Sequence, residues 1–183
     1  MSLINTPVPT FDLLQSMHQL PPTEGVYFVT GELPASLPVK PRPGDSIIHP
    51  DMLYIGATRN MQVRVERHLT DDSRASSFRM TLGAVLRENL GLVVRRHLGK
   101  PSFDFGPTED RLTDWLVENT SFRFWPTAEP FAVERALIAH ASGALNIKGR
   151  MDREAVGILM QLRRQAIATD QDYDRLLKAS RQF

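Results

Sequence analysis

Arg64 and His68 stand four residues apart in a segment, 60–69, that reads as a helix capped at Asn60 or Thr58. Met61, Val65 and Leu69 form its inward stripe. At about 100° per residue, Arg64 and His68 fall together at the edge of that stripe. A charged guanidinium beside a core edge needs a reason. Either the pair is a snorkelling arginine with a satisfied half-buried histidine, or it is functional. Glu134 is the second break in the pattern. It lies one helical turn before Leu137 and Ile138, on or beside the apolar side of a helix expected over 129–141. A carboxylate there is costly unless it is ion-paired or metal-bound, and the residues by themselves leave both open.

The elements that must position these side chains can be read from periodicity. Residues 25–30, 52–57 and 121–125 are β-branched, aromatic or alternating, and are expected as strands. Between the first two lies a proline-rich stretch, 31–50, with five prolines and two glycines, expected as a surface loop. A loop rather than a helix between two strands favours antiparallel pairing. Further helices are expected over 10–19, capped by Thr10, and over 76–89, with Phe78, Leu82, Val85 and Leu86 on one face. Others are expected over 111–119, and as one or two in 152–180. Trp115 and Trp125 are expected in the core. The class is α+β: a small three-stranded antiparallel sheet flanked by helices, with extra helices at the C-terminal end.

With 183 residues the chain is long enough for one well-buried domain. Zero cysteines exclude disulfides, thiolate metal sites and a cysteine nucleophile. No secretion signal and no membrane-spanning run are read from the sequence, so a cytoplasmic protein is expected. Net charge is only +1, but its distribution is uneven. From Arg59 to Lys100, eight Arg and one Lys face four acids, and from Pro101 to Glu134 seven acids face two Arg. Arginine supplies eighteen of the 22 basic residues, and its forked donors suit phosphate, although a solvated helical face gives the same pattern.

Gly25-Val26-Tyr27 followed by Tyr54-Ile55-Gly56 resembles the two-part motif of the GIY-YIG nuclease superfamily. The following residues strengthen the likeness. Arg64 comes eight residues after Gly56 and His68 four later; Glu134 precedes Leu137-Ile138, and Asn146 follows Leu145. The resemblance implies a divalent-metal-dependent endonuclease that hydrolyses DNA phosphodiester bonds. Its catalytic residues would be Tyr27, Tyr54, Arg64, His68 and Glu134. Glu134 would hold one Mg²⁺ or Mn²⁺, and Arg64 would neutralise charge on the phosphoryl oxygens. Tyr27, with Tyr54 as the alternative, would be the general base, and His68 would bind or orient water or phosphate. Gly25, Gly56 and Asn146 would support the site, and Arg59, Arg67, Arg74 and Arg79 would line a DNA-binding rim.

Three features depart from the family pattern: the long proline-rich loop, the long stretch 70–128, and Ala57, where many members carry lysine. The expected organisation is a nuclease domain over 1–148, with insertions at about 31–50 and 70–128, and a helical extension over 149–183 packed on it. DNA is the expected partner, no membrane is expected, and the C-terminal helices are the expected source of any homodimer contact. The competing function is a catalytically silent nucleic-acid-binding or interaction module on the same scaffold. Ala57 favours the silent module and the five retained site residues favour the enzyme.

Overall fold

The computed structural model describes residues 7–16, 18, 20, 22–35, 37, 51–70, 72–97, 102–140 and 143–170. Most of the proline-rich loop and the end of the C-terminal segment therefore lie outside the described residues.

The chain order is β1 (Val8–Pro9), α1 (Thr10–Ser16), β2 (Gly25–Gly31), β3 (Met52–Thr58), α2 (Met61–Leu69), α3 (Ser77–Leu90), β4 (Arg95–Arg96), β5 (Phe103–Asp104), α4 (Glu109–Asn119), β6 (Thr120–Pro126), α5 (Pro130–His140) and α6 (Arg153–Ala168). The α+β class and the antiparallel core of the sheet are as the sequence implies. The sheet runs β1-β6-β2-β3, with every pairing antiparallel and β2 in the interior. The two-residue β1 is an addition the sequence did not suggest, as is a small β4–β5 hairpin.

Side chains alternate across the sheet, and this alternation builds two cores. Tyr27, Val29, Phe122 and Phe124 join the large core on the α2–α3 side. Val26, Met52 and Ile55 join a smaller one with Ile138 of α5. A register irregularity between Val29 and Thr30 lets Leu53 and its neighbour Tyr54 both reach the larger core. Trp125 departs from expectation: with Phe122 and Phe124 turned inward, it falls on the other face of β6 and is 47% exposed. Thr10 also has a different role. It is the buried first residue of α1, and its hydroxyl donates to the Thr120 carbonyl at 2.8 Å, tying the N-terminal helix to β6. Helix α3 is buried over all of Phe78–Leu86, not along one face, because α4 and α6 both pack on it.

β3 forms one edge of the sheet, and that edge is closed by the chain returning after α5. The amides of Ala144 and Leu145 donate to the carbonyls of Met52 and Leu53. The Asn146 side chain continues the pattern: its Oδ1 accepts from the Ile55 amide at 3.0 Å and its Nδ2 donates to the Ile55 carbonyl at 2.8 Å. An added Cβ at Gly143 would meet the Leu53 backbone at 2.6 Å, so only glycine permits this approach.

Candidate active site

Helix α2 presents Arg64 and His68 to β2. Asn60 caps the helix by accepting from the Val63 amide, and Met61, Val65 and Leu69 bury its inner stripe. Arg64 Nε donates to the Tyr27 hydroxyl at 3.1 Å, and His68 Nε2 lies 2.8 Å from the same oxygen. His68 Nδ1 in turn lies 2.8 Å from Ser76 Oγ, and a neutral imidazole donates through one ring nitrogen and accepts through the other. Ser76 also caps α3, accepting from the Arg79 amide. Arg64, Tyr27, His68 and Ser76 thus form one continuous chain of hydrogen bonds.

Tyr54 completes an aromatic cluster with this chain. Its ring centroid lies 6.2 Å from Tyr27, 6.4 Å from His68 and 5.1 Å from Phe78. Tyr27 fits here only because position 56 is glycine; a Cβ at Gly56 would collide with the Cζ and hydroxyl of Tyr27. Gly25 is equally constrained, by Met61 and the Trp125 carbonyl.

Burial dominates the electrostatics. It raises the Tyr27 hydroxyl well above its ordinary value; nearby Tyr54 adds to the rise and Arg64 opposes it. Burial also raises Tyr54, again against Arg64. His68 is held well below the usual histidine range, by burial first and then by the charges of Arg64 and Arg79. Its imidazole is therefore neutral at physiological pH. Burial acts to lower the Arg64 guanidinium, but the two tyrosine hydroxyls outweigh it and the net shift is upward.

Glu134 approaches from the opposite side of β3. Its Oε1 accepts from the Ala57 amide at 3.1 Å, two residues beyond the slot filled by Asn146. Among the described residues no hydrogen bond reaches its second oxygen. The carboxyl is half-buried and raised above the ordinary glutamate value by that burial, with the Ala57 amide, Lys148, Arg64 and Arg135 pulling the other way. Glu134 and Tyr54 share a cavity of about 530 Å³, to which Phe131, Asn146, Lys148 and Arg163 also contribute. No group of three or more His, Asp or Glu side chains suited to a metal exists among the described residues. A lone carboxylate with one free oxygen on a roomy cavity fits a hydrated divalent ion that keeps most of its waters, rather than a closed protein cage.

The structure thus brings Tyr27, Tyr54, Arg64, His68 and Glu134 together from four separate elements. The four arginines expected on a DNA-binding rim divide. Arg59 and Arg67 are exposed, and Arg59 lies 6.0 Å over the Phe131 ring at the cavity. Arg74 is half-exposed but held bidentately by Asp72. Arg79 does not face solvent at all: it is fully buried, ion-paired with Glu109 at 2.7 Å, and donates to the His68 carbonyl. It braces α2 from within and cannot touch DNA. Three cations that sequence reasoning passed over, Arg135, Lys148 and Arg163, line the cavity instead. For Arg163 a signal existed. It sits four residues after buried Leu159 on the packed side of α6, the same kind of break that pointed to Arg64.

A small antiparallel sheet carrying two tyrosines, an adjoining helix with Arg and His, and a carboxylate on a third element thus meet beside one cavity. Residues 25–165 match the GIY-YIG catalytic domain, and the chain belongs to that family. Its members are nucleases that act on DNA and generally use a divalent metal ion. No curated protein and no solved structure matches the chain. No helix among the described residues is long and apolar enough to cross a membrane.

Proposed function

We propose that this protein is an endonuclease that hydrolyses DNA phosphodiester bonds, with Mg²⁺ or Mn²⁺ held by Glu134. The observation that carries this reading is the convergence of Tyr27, Arg64 and His68 in one hydrogen-bonded chain beside the cavity that Tyr54 and Glu134 line. When bound, the ion polarises the scissile phosphate and stabilises charge on the leaving oxygen.

The chain's own residues supply the rest. Tyr27 serves as general base in its phenolate form, which Arg64 favours against the burial that raises the hydroxyl, and His68 Nε2 holds its oxygen in place. The phenolate takes a proton from the attacking water as the water oxygen bonds to phosphorus and the bond from phosphorus to the leaving oxygen breaks. Arg64 stabilises the phenolate through the existing Nε contact and faces the charge that builds on the phosphoryl oxygens. Asn146 and the Ala57 amide fix the strand edge on which Glu134 rests.

One observation favours a second assignment of the base. Tyr27 is completely covered, whereas Tyr54 is only partly buried and lines the cavity. In that version Tyr54 meets the water and Tyr27 fixes Arg64 and His68.

The test is incubation of the purified protein with plasmid, branched and single-stranded DNA, with Mg²⁺, with Mn²⁺ and with EDTA. Cleavage that depends on metal and is lost in Glu134→Gln supports the proposal. Intact DNA under every metal condition overturns it in favour of a silent binding module.

A further inference from the structure

Arg163 is a half-buried cation in the wall of the cavity, and among the described residues no carboxylate pairs with it. Two apolar side chains hold it. The guanidinium lies 5.9 Å over the Phe103 ring, and Nη2 reaches the Met80 sulfur at 3.5 Å. A partly desolvated charge held this way is costly unless an anion comes to it. Lys148 opens on the same cavity, as does Arg135, and the only carboxylate among the lining residues is Glu134. A metal ion on Glu134 would add to the positive excess. The volume of about 530 Å³ is ample for a segment of nucleotide size.

We propose that Arg163, assisted by Lys148, forms a second phosphate subsite that takes a non-scissile phosphodiester of the strand being cut. The subsite rests on the nuclease reading above, because Arg64 is left to serve the scissile phosphate. It also gives α6 a direct part in substrate binding. Arg163 is a positioning residue here: it fixes the strand and does not touch the reacting atoms.

The experiment uses the full chain and a DNA oligonucleotide, with affinity measured in EDTA so that no cutting occurs. Single neutral methylphosphonates are walked along the strand. Wild type should lose about tenfold in affinity at one position other than the cleaved bond, the scale of one charged contact. Arg163→Met, which keeps an unbranched apolar stem against Met80 and Phe103, should bind the unmodified strand about as weakly and be indifferent to that methylphosphonate. Its plot of log affinity against log salt should be shallower by about one. Arg163→Lys should keep the salt slope.

Equal affinity and slope in Arg163→Met and wild type would overturn the subsite. So would a loss that ignores where the methylphosphonate lies, which is the mark of a structural role. Should Arg163→Met fail to fold, the wild-type walk and Arg163→Lys still decide: no sensitive non-scissile phosphate means no subsite. If wild type binds DNA but never cuts it, the nuclease reading fails alone and the binding comparison still judges Arg163. If wild type binds no DNA, both fall.

Discussion

The hydroxyl of Tyr27 lies 2.8 Å from His68 Nε2, and both side chains are completely buried. A neutral imidazole therefore lies against the phenol proposed above as the general base. Tyr27→Phe removes the hydroxyl and keeps the ring, so cleavage should fall by about 10²–10⁴. Arg64 Nε and His68 Nε2 lose their partner, which should cost about 1–3 kcal/mol of stability in urea unfolding. Tyr54→Phe should slow cleavage less. A larger loss in Tyr54→Phe would transfer the base to Tyr54.

His68 also makes stability depend on pH. Its folded pKa is depressed, so the unfolded chain binds the proton more readily. Above the unfolded value of about 6.5 both states are neutral and the full stability is present. As pH falls below that value, stability is lost by up to about 1.4 kcal/mol per unit until the folded group titrates. His68→Gln should flatten this slope between pH 6.5 and 5, measured by denaturant midpoints. An unchanged slope would mean that His68 is not held neutral.

Glu134 should separate cutting from binding. Glu134→Gln keeps an oxygen acceptor for the Ala57 amide but loses the charge, so it should fold normally, bind DNA at least as well and cut at background rate. The carboxyl is already raised by burial and lowered in part by Lys148. Lys148→Gln should therefore move the acid limb of the pH–rate profile to higher pH, since the ionised form is needed. A limb that stays fixed would show that Lys148 does not act on Glu134.

Gly56→Ala places a methyl group against the Tyr27 ring, and overpacking of this kind typically costs about 1–3 kcal/mol. Because the collision is with the Tyr27 hydroxyl end, activity should fall further than stability does. Equal activity per folded molecule in Gly56→Ala and wild type would refute the coupling.

Arg79 and Arg67 should behave oppositely although both are arginines of the basic stretch. Arg79→Met takes the cation from buried Glu109 and leaves it only its hydrogen bonds from Ser73 and the Phe105 amide, and breaking a buried pair costs about 3–5 kcal/mol. Its folded fraction should keep the wild-type salt dependence of DNA binding. Exposed Arg67→Ala should leave the melting temperature nearly unchanged and reduce the salt slope by about one. Reversed results would return Arg79 to the DNA-binding rim.

This contrast shows where the sequence could be read and where it could not. Arg64 and Glu134 were legible as breaks in helical periodicity, whereas Tyr27 and Tyr54 were legible only through the resemblance carried by Gly25-Val26-Tyr27 and Tyr54-Ile55-Gly56. Arg79 was not, because its partner Glu109 lies thirty residues on and a charged residue in a basic stretch reads as surface. Arg163 left the helical-spacing signal noted above, but its neighbours Met80 and Phe103 come from distant elements and were not legible. Nothing local announces that the Ala57 amide holds Glu134, because a backbone donor leaves no mark in residue type.

That contact bears on how freely the family's position 57 can vary. The carboxylate rests on a peptide N–H, which nineteen of the twenty amino acids provide, so the side chain there can change without unseating Glu134; proline alone would remove the donor. The same contact, together with Asn146 and the amides of Ala144 and Leu145, occupies hydrogen-bonding positions along the outer side of β3. Strand-by-strand growth into aggregates needs such positions vacant. In this fold the segment that runs on from the acid thus also blocks the β3 edge as a template for strand addition.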